Sequence, residues 1–478
     1  MRRHRMRSQA WMATAGVSCV MVLLSGCTVG PKYNRPPVPD PPSFRGADET
    51  SITSDARDSL GDQQWSAVFH EPEWQALIRT ALANNYDVRI AARRILEQQA
   101  QVKITRSQAF PQISGSGTGI GVDAPNSLNG FGNTISSPLT FGSISLAAAW
   151  TPDFWGLYRK QTEAARAQLL AQNWAQRAVR LTLVQQVATT YIQLRALDAQ
   201  LEIARSTVAA RRDSVELTRA LAEGGAAPMS DLSQAEELLY TATTQVPQLE
   251  QQIQQTENEM RLLLGETPGP VVHTDATALA PPPENLPTGI PSQLLERRPD
   301  IQEAEAQLRA ANAQIGVARA QFFPSLSISG SAGLGGSSIS NLVDISDRTL
   351  YGLGALTQPI FSGGKLRGQL ELSKQQKEEL VLNYQKTIST AFRDVSNALI
   401  AVQKERRTRE EQEKLVKAAH DAAEYAHIRY EGGATNYLEV LTNDTNLFSA
   451  QLNLISAQQA EALTLVQLYA ALGGGWQQ

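Results

Sequence analysis

Apolar residues spaced three and four apart run with little interruption from Leu157 to Ala222, stop at Glu223-Gly224-Gly225, and resume from Ser230 to Leu264. The pattern predicts a helical hairpin with one long and one shorter arm. Along the long arm, Leu181, Val184, Ala188, Tyr191, Leu194, Leu197, Leu201, Ala204 and Val208 follow that spacing, while Gln185, Gln186, Gln193, Arg195, Asp198 and Gln200 fall on the other faces. At 1.5 Å per residue the arms are about 100 Å and about 52 Å long. A compact globule does not hold helices of that length. The pattern occurs twice, because Leu366 to Tyr430, Glu431-Gly432-Gly433 and Leu438 to Leu472 repeat it at a constant offset of 208. Such an offset marks an internal duplication.

Each hairpin is preceded by a different periodicity. A short amphipathic helix is expected from Glu73 to Ala83, with Trp74, Leu77, Ile78 and Leu82 on one face, and Asn84-Asn85 ends it. A second helix follows from Tyr86 to Ala109 and stops at Phe110-Pro111. Gln112 to Val122 is then rich in Gly and Ser, and Phe141 to Pro152 alternates Ile144, Leu146, Ala148 and Trp150 with Ser143, Ser145, Ala147 and Ala149. Period two predicts strands, and strands of about 9 to 11 residues suit a membrane hairpin. Gly115, Gly117, Gly119 and Gly121 read as small residues of its wall. In the second copy Asp300 and Phe323-Pro324 match Asp87 and Phe110-Pro111 at offset 213, with strands expected over Ser325 to Leu334 and Thr349 to Phe361.

The incoming helix, about 36 Å, and the return arm together nearly equal the long arm. One chain therefore offers four rods and four strands. Four strands cannot close in a membrane, where unpaired edges are costly, so an oligomer is required. A dimer would supply eight strands and a trimer twelve, and periodicity does not choose between them.

The 478-residue chain has a net charge of -4, and its first 26 residues carry Arg2, Arg3, Arg5 and Arg7 without an acid, leaving the remainder at -8. That balance argues against a nucleic-acid partner. The arginines followed by apolar Ala10 to Leu24 have the layout of a secretory signal. Leu24-Ser25-Gly26-Cys27 resembles a bacterial lipobox, which makes Cys27 the acylated residue of the mature chain; Thr28 after it resembles the pattern of lipoproteins sent to the outer membrane. With Cys19 leaving in the signal, no thiol remains for a disulfide, a zinc site or catalysis. The six prolines between Pro31 and Ser43 read as an extended tether. The resulting division is a signal at 1–26, a tether at 27–72, repeats at 73–265 and 294–473, a proline-rich linker at 266–293 and a tail at 474–478.

No P-loop, His-Glu-x-x-His or Gly-x-Ser-x-Gly motif occurs, and His70, His273, His420 and His427 lack ligand spacing. Neither an enzyme nor a metal site is expected, and no cofactor beyond the covalent lipid. The lipobox with Gly30-Pro31-Lys32-Tyr33, Arg297-Arg298-Pro299-Asp300-Ile301, Pro359-Ile360-Phe361-Ser362-Gly363-Gly364, Arg429-Tyr430-Glu431-Gly432 and Leu472-Gly473-Gly474-Gly475-Trp476 resembles the outer-membrane efflux lipoproteins of the TolC/OprM family. The resemblance spans essentially the whole mature chain. It implies a mainly α fold with a transmembrane β-barrel portion, four strands from each of three protomers forming a twelve-stranded barrel above a long periplasmic α-helical barrel. It also implies a passive exit duct in the outer membrane, docked to a periplasmic adaptor and an inner-membrane pump of the resistance-nodulation-division type. A periplasmic adaptor lipoprotein, with a compact β-rich domain and no duplicated strand hairpins, and a protein-secretion duct of the same fold are the alternatives.

Function should then lie at the hairpin tips, where a resting duct closes. The resemblance implies a latch between Tyr430 and Asp231, with a neighbouring hydroxyl at Ser230. It implies a constriction at Leu438, Glu439 and Thr442, where three copies of Glu439 would favour cations. Thr442 replaces a second acid, and Thr435 and Thr445 stand where some relatives have basic residues. The tips, with Gly224, Gly225, Gly432 and Gly433 expected to reverse the chain through positive φ, are the candidate adaptor contacts.

Overall fold

The computed structural model describes residues 28–38, 43–47, 59–122, 139–272, 281–283, 286–287, 289, 291–336, 348–474 and 476. The signal segment and Cys27 lie outside the described residues. A 3-10 turn at Leu60–Asp62 leads into α1 (Trp65–Val68), α2 (Pro72–Asn84) and α3 (Tyr86–Ser107). Strands β1 (Gln112–Val122) and β2 (Leu139–Trp150) precede the long α4 (Leu157–Glu223) and its return α5 (Met229–Leu263). The order repeats as α6 (Pro291–Arg297), α7 (Pro299–Ala320), β3 (Ser325–Gly336), β4 (Arg348–Thr357), α8 (Lys365–Glu431) and α9 (Tyr437–Ala471). Paired helices have equal lengths: 67 residues in α4 and α8, 35 in α5 and α9, and 22 in α3 and α7. That equality is what the constant offset requires. Strand β4 ends at Thr357 rather than Phe361, because Pro359 has no N–H to donate to a ladder. Among the described residues, no helix is long and apolar enough to cross a membrane.

The chain divides into two compact units. The first gathers Met1–Pro36, Ile95–Gln172 and Ala304–Tyr384 and contains one antiparallel sheet in the order β1-β2-β3-β4. Its register separates the two faces. Gly115 pairs with Leu146, Leu146 with Ala332, and Ala332 with Leu350. The same face carries Ile113, Ile144, Ile328 and Leu356, all exposed. The other carries Ser114, Ser116, Ser143, Ser145, Ser327, Ser329 and Ser331 together with exposed Ile120, Phe141, Tyr351 and Leu353, and the Ser116 and Ser145 hydroxyls meet at 2.9 Å. The first four wall glycines therefore sit on the apolar face. Strands β1 and β4 are both edges.

Residues 28–36 form a strap within this unit. The Val29 N–H donates to Trp155 O at 3.2 Å, and Asn312 Nδ2 to Pro31 O at 3.1 Å. Gly30 lies so close to Gly316 that a Cβ on it would stand 2.8 Å from the Gly316 Cα. The strap's Arg35 Nη2 pairs with buried Glu305 Oε2 at 3.0 Å, and Tyr33 OH donates to Oε1 at 3.3 Å. Arg309 Nη2 also binds that carboxylate, at 2.6 Å.

The second unit gathers Pro37–Arg94, Asn173–Glu303 and Gln385–Gln478. Its main core joins Phe69, Ile78, Val187, Tyr191, Met260, Leu294, Val395 and Tyr469. Trp74 stacks on Tyr191 at 5.2 Å, and Tyr191 OH donates to Glu71 Oε2 at 2.8 Å. Arg195, expected on a polar face, is instead only 4 % exposed, because Glu71 reaches over it at 2.9 Å. Buried Asn85 ends α2 and caps α3 by accepting from Asp87 N at 2.8 Å, and its Nδ2 donates to Leu263 O at 3.0 Å at the end of α5. At offset 213 its counterpart is Arg298, whose Nη1 donates to Ala471 O at 3.1 Å at the end of α9. One structural duty is performed by two different side chains.

Candidate functional site at the helical tips

The tips belong to the second unit. α4 ends with Ala226 N donating to Leu221 O at 2.8 Å and Gly225 N to Ala222 O at 3.1 Å; α8 ends with Ala434 N to Arg429 O at 2.8 Å and Gly433 N to Tyr430 O at 2.9 Å. This pair of bonds is a Schellman cap, which needs a left-handed residue. Gly225 and Gly433 supply it at φ +74° and +71°. Gly224 and Gly432 were expected to share the left-handed role, but they are not among the glycines with positive φ; one left-handed residue is sufficient for the cap.

Inside the tips, Val215, Leu232, Ala235, Ala426, Tyr437 and Val440 form a small buried cluster flanked by Leu239 and Tyr430. Tyr437 is 1 % exposed, meets Ser214 Oγ through its hydroxyl at 3.2 Å, and receives the Tyr430 ring edge-on at 5.2 Å. Tyr430 OH reaches Asp231 Oδ2 at 3.5 Å, and Ser230 Oγ donates to Asp231 Oδ1 at 3.3 Å. Burial, then the Asp231 charge, pushes the Tyr430 hydroxyl up from its ordinary value, so it remains a donor at neutral pH. A 3.5 Å bond is long for a hydroxyl and contributes about 0.5 kcal/mol. Removing a buried aromatic ring typically costs about 3–5 kcal/mol. Tyr437 therefore holds these helices together more than the Tyr430–Asp231 contact does.

The residues expected at a constriction lie on the first turns of α9. Leu438 is exposed, and the Thr442 hydroxyl donates back to Leu438 O at 2.8 Å. Glu439, expected to present negative charge at the constriction, is paired with Arg429 Nη1 at 3.0 Å and accepts from Thr435. Thr435 thus engages the carboxylate through its hydroxyl. One turn further, His427 Nε2 lies 3.0 Å from Asp444 Oδ1, a bond between α8 and α9. That hydrogen bond raises the imidazole above its ordinary value, against the opposing effect of burial. The Tyr437, Arg429 and His427 contacts were missed in the sequence because each partner is set by how two helices face each other. Although no metal site was expected, exposed His420, Asp421 and Glu424 bring three potential ligand atoms within 4.8 Å of one another.

Residues 77–266 and 290–474 match the family model described as outer membrane efflux protein. The toluene efflux pump outer membrane protein TtgC of Pseudomonas putida is 36% identical over 462 residues, covering 95% of this chain and 94% of that protein. The cation efflux system protein CusC of Escherichia coli is 32% identical over 461 residues, covering 96% and 98%. Among solved structures, the outer-membrane channel OprN aligns with a TM-score of 0.82 at 26% identity, and the open state of the Neisseria gonorrhoeae MtrE channel with 0.81 at 27%. These alignments cover 94% of this chain and 100% and 99% of those chains, respectively. Equal helix pairs, a two-faced sheet open at both edges, and this agreement along nearly the full length lead to one assignment: the chain belongs to the outer membrane efflux protein family, whose members are channels of the outer membrane rather than enzymes.

Proposed function

We propose that the protein works as a homotrimer whose three sheets join edge to edge into a twelve-stranded barrel, forming the passive exit duct of a tripartite small-molecule efflux system. The observation that carries this reading is the sheet, with its exposed apolar face, serine-bearing face and two free edges. An apolar face of that kind suits lipid, a serine face suits a wet lumen, and open edges in a bilayer cost several kcal/mol for each unpaired group. Three copies give the wider lumen that export needs. An adaptor would have lacked duplicated strand hairpins, and the family assignment sets that alternative aside.

The tips close the duct at rest. Adaptor docking at Gly224, Gly225, Gly432 and Gly433 releases them, and energy comes from the inner-membrane pump. Cys27 carries the lipid, a reading supported by the lipobox. The names of relatives span toluene and cation efflux, and the uncharged serine face is compatible with neutral and amphipathic cargo. Native mass spectrometry of the detergent-extracted, lipidated chain tests the assembly: a species of three chains is expected, whereas a stable dimer or monomer would overturn it.

A further inference from the structure

Between α4, α8 and α9 of the second unit lies a cavity of about 580 Å³, of the size that accepts drug-like ligands. Arg211 forms part of its wall and is 5 % exposed. Its Nη1 donates to Leu238 O at 2.6 Å and its guanidinium lies 5.1 Å from the Phe448 ring centroid. Its Nε is buried and has no hydrogen-bond acceptor among the described residues. Leaving a buried charged donor unmatched costs several times what an ordinary hydrogen bond contributes, so an anionic acceptor entering the cavity gains more there than on the surface.

The remaining wall defines the rest of the ligand. Ala210, Ala423, Leu447 and Phe448 offer an apolar flank. The charged and titratable groups are Arg211 from α4, His420, Glu424 and His427 from α8, and Asp444 from α9. Asp444 is hydrogen-bonded to His427, and its charge also reaches Arg211, where it partly offsets the burial of the guanidinium; Glu424 is exposed. We propose that this cavity is a binding site for a small amphipathic carboxylate, with the carboxylate on Arg211 and the apolar body against Phe448. Because Ser214, beside Arg211 on the cavity wall, holds Tyr437, occupancy ties α4, α8 and α9 in the closed arrangement of the tips. This gating consequence, unlike the binding, rests on the reading of the tips as a gate. Below the raised titration range of His427 its charge offsets those of Asp444 and Glu431, which both act on it, so the anion binds more tightly at pH 6 than at pH 8.5.

The test is calorimetric titration of 2-naphthoate into the full-length protein in detergent, with 2-naphthamide as the uncharged control. Binding of the carboxylate, at least tenfold weaker binding of the amide, and at least tenfold weaker binding to Arg211→Met are expected. Ala210→Phe fills the cavity while leaving Arg211 in place, and should also abolish binding should Arg211→Met fail to fold. No binding by the wild type, equal binding of acid and amide, or binding unaffected by Ala210→Phe overturns the site. A fall in single-channel conductance on adding 2-naphthoate is expected. Binding without that fall overturns the gating consequence alone, whereas a protein that binds but never conducts counts against the duct itself.

Discussion

Replacing Glu305 by Ala should free the N-terminal strap while leaving the rest of its unit folded. The Glu305 side chain is only 4 % exposed and receives Arg35, Arg309 and Tyr33. Removing one member of a fully buried ion pair costs about 3–5 kcal/mol, because the partner stays uncompensated. Here the Arg35 and Arg309 side chains are 40% and 45% exposed, so both regain water and the loss falls to about 1–3 kcal/mol. At about 1.4 kcal/mol per factor of ten, local opening of the strap rises roughly 5- to 150-fold. Hydrogen exchange at the Val29 amide, bonded to Trp155 O, reads that opening directly. Arg35→Ala should lower Val29 protection comparably, and Arg309→Ala less, since Arg309 sits one turn along α7 rather than on the strap. Unchanged Val29 protection in a folded Glu305→Ala protein would refute the assignment of Glu305 as the strap's anchor. Alkali gives an independent check. Burial first, then the Glu305 charge, pushes Tyr33 up to about 12 from 10.0. A raised folded value means that the contribution is intact below pH 10 and lost as pH rises towards 12, so Val29 should deprotect across that window in wild type and less in Tyr33→Phe.

Three further outcomes follow from the second unit. The folded value of His427 is raised above 6.5, so its bond to Asp444 stabilises the tips below that pH and fades as pH climbs through the raised value. His427→Gln should therefore lower the melting temperature by about 1–2 °C at pH 6 and by nothing measurable at pH 8.5. Gly433→Val forces a branched side chain into φ +71° and should destabilise the second tip by about 1–3 kcal/mol, whereas Gly432→Ala should be nearly neutral; proteolysis at the turn distinguishes them. Arg298→Ala removes bonds to Ala471 O, Asp300 and Asp394 together, and should cost more in chemical denaturation than Asn85→Ala at the equivalent position.

The architecture was legible because it is written in local periodicity. Helix ends fell within a residue or two of expectation wherever Gly, Pro or Asn marked them, as at Asn85, Gly225 and Gly433. What pattern could not supply was the partner across a helix pair. Arg195 counts as polar in any periodic reading, yet Glu71, more than a hundred residues earlier, makes its burial tolerable. Likewise the family resemblance drew attention to Tyr430 and Asp231, a long 3.5 Å contact, while the buried Tyr437 beside them carries more of the packing. The pairing of Glu439 with Arg429 was not legible in sequence, because Arg429 lies across the turn on another helix. The duplication itself hides such differences, since Asn85 and Arg298 do equivalent work with unlike chemistry.

The central claim is a passive pore closed at its tips, and single-channel conductance in planar bilayers tests it most directly. The wild type should conduct weakly. Conductance should rise modestly in the Asp231→Ala/Tyr430→Phe double variant and further in Tyr437→Ala, following the ranking of their contacts. Correctly inserted wild type and variants that all fail to conduct would contradict the account.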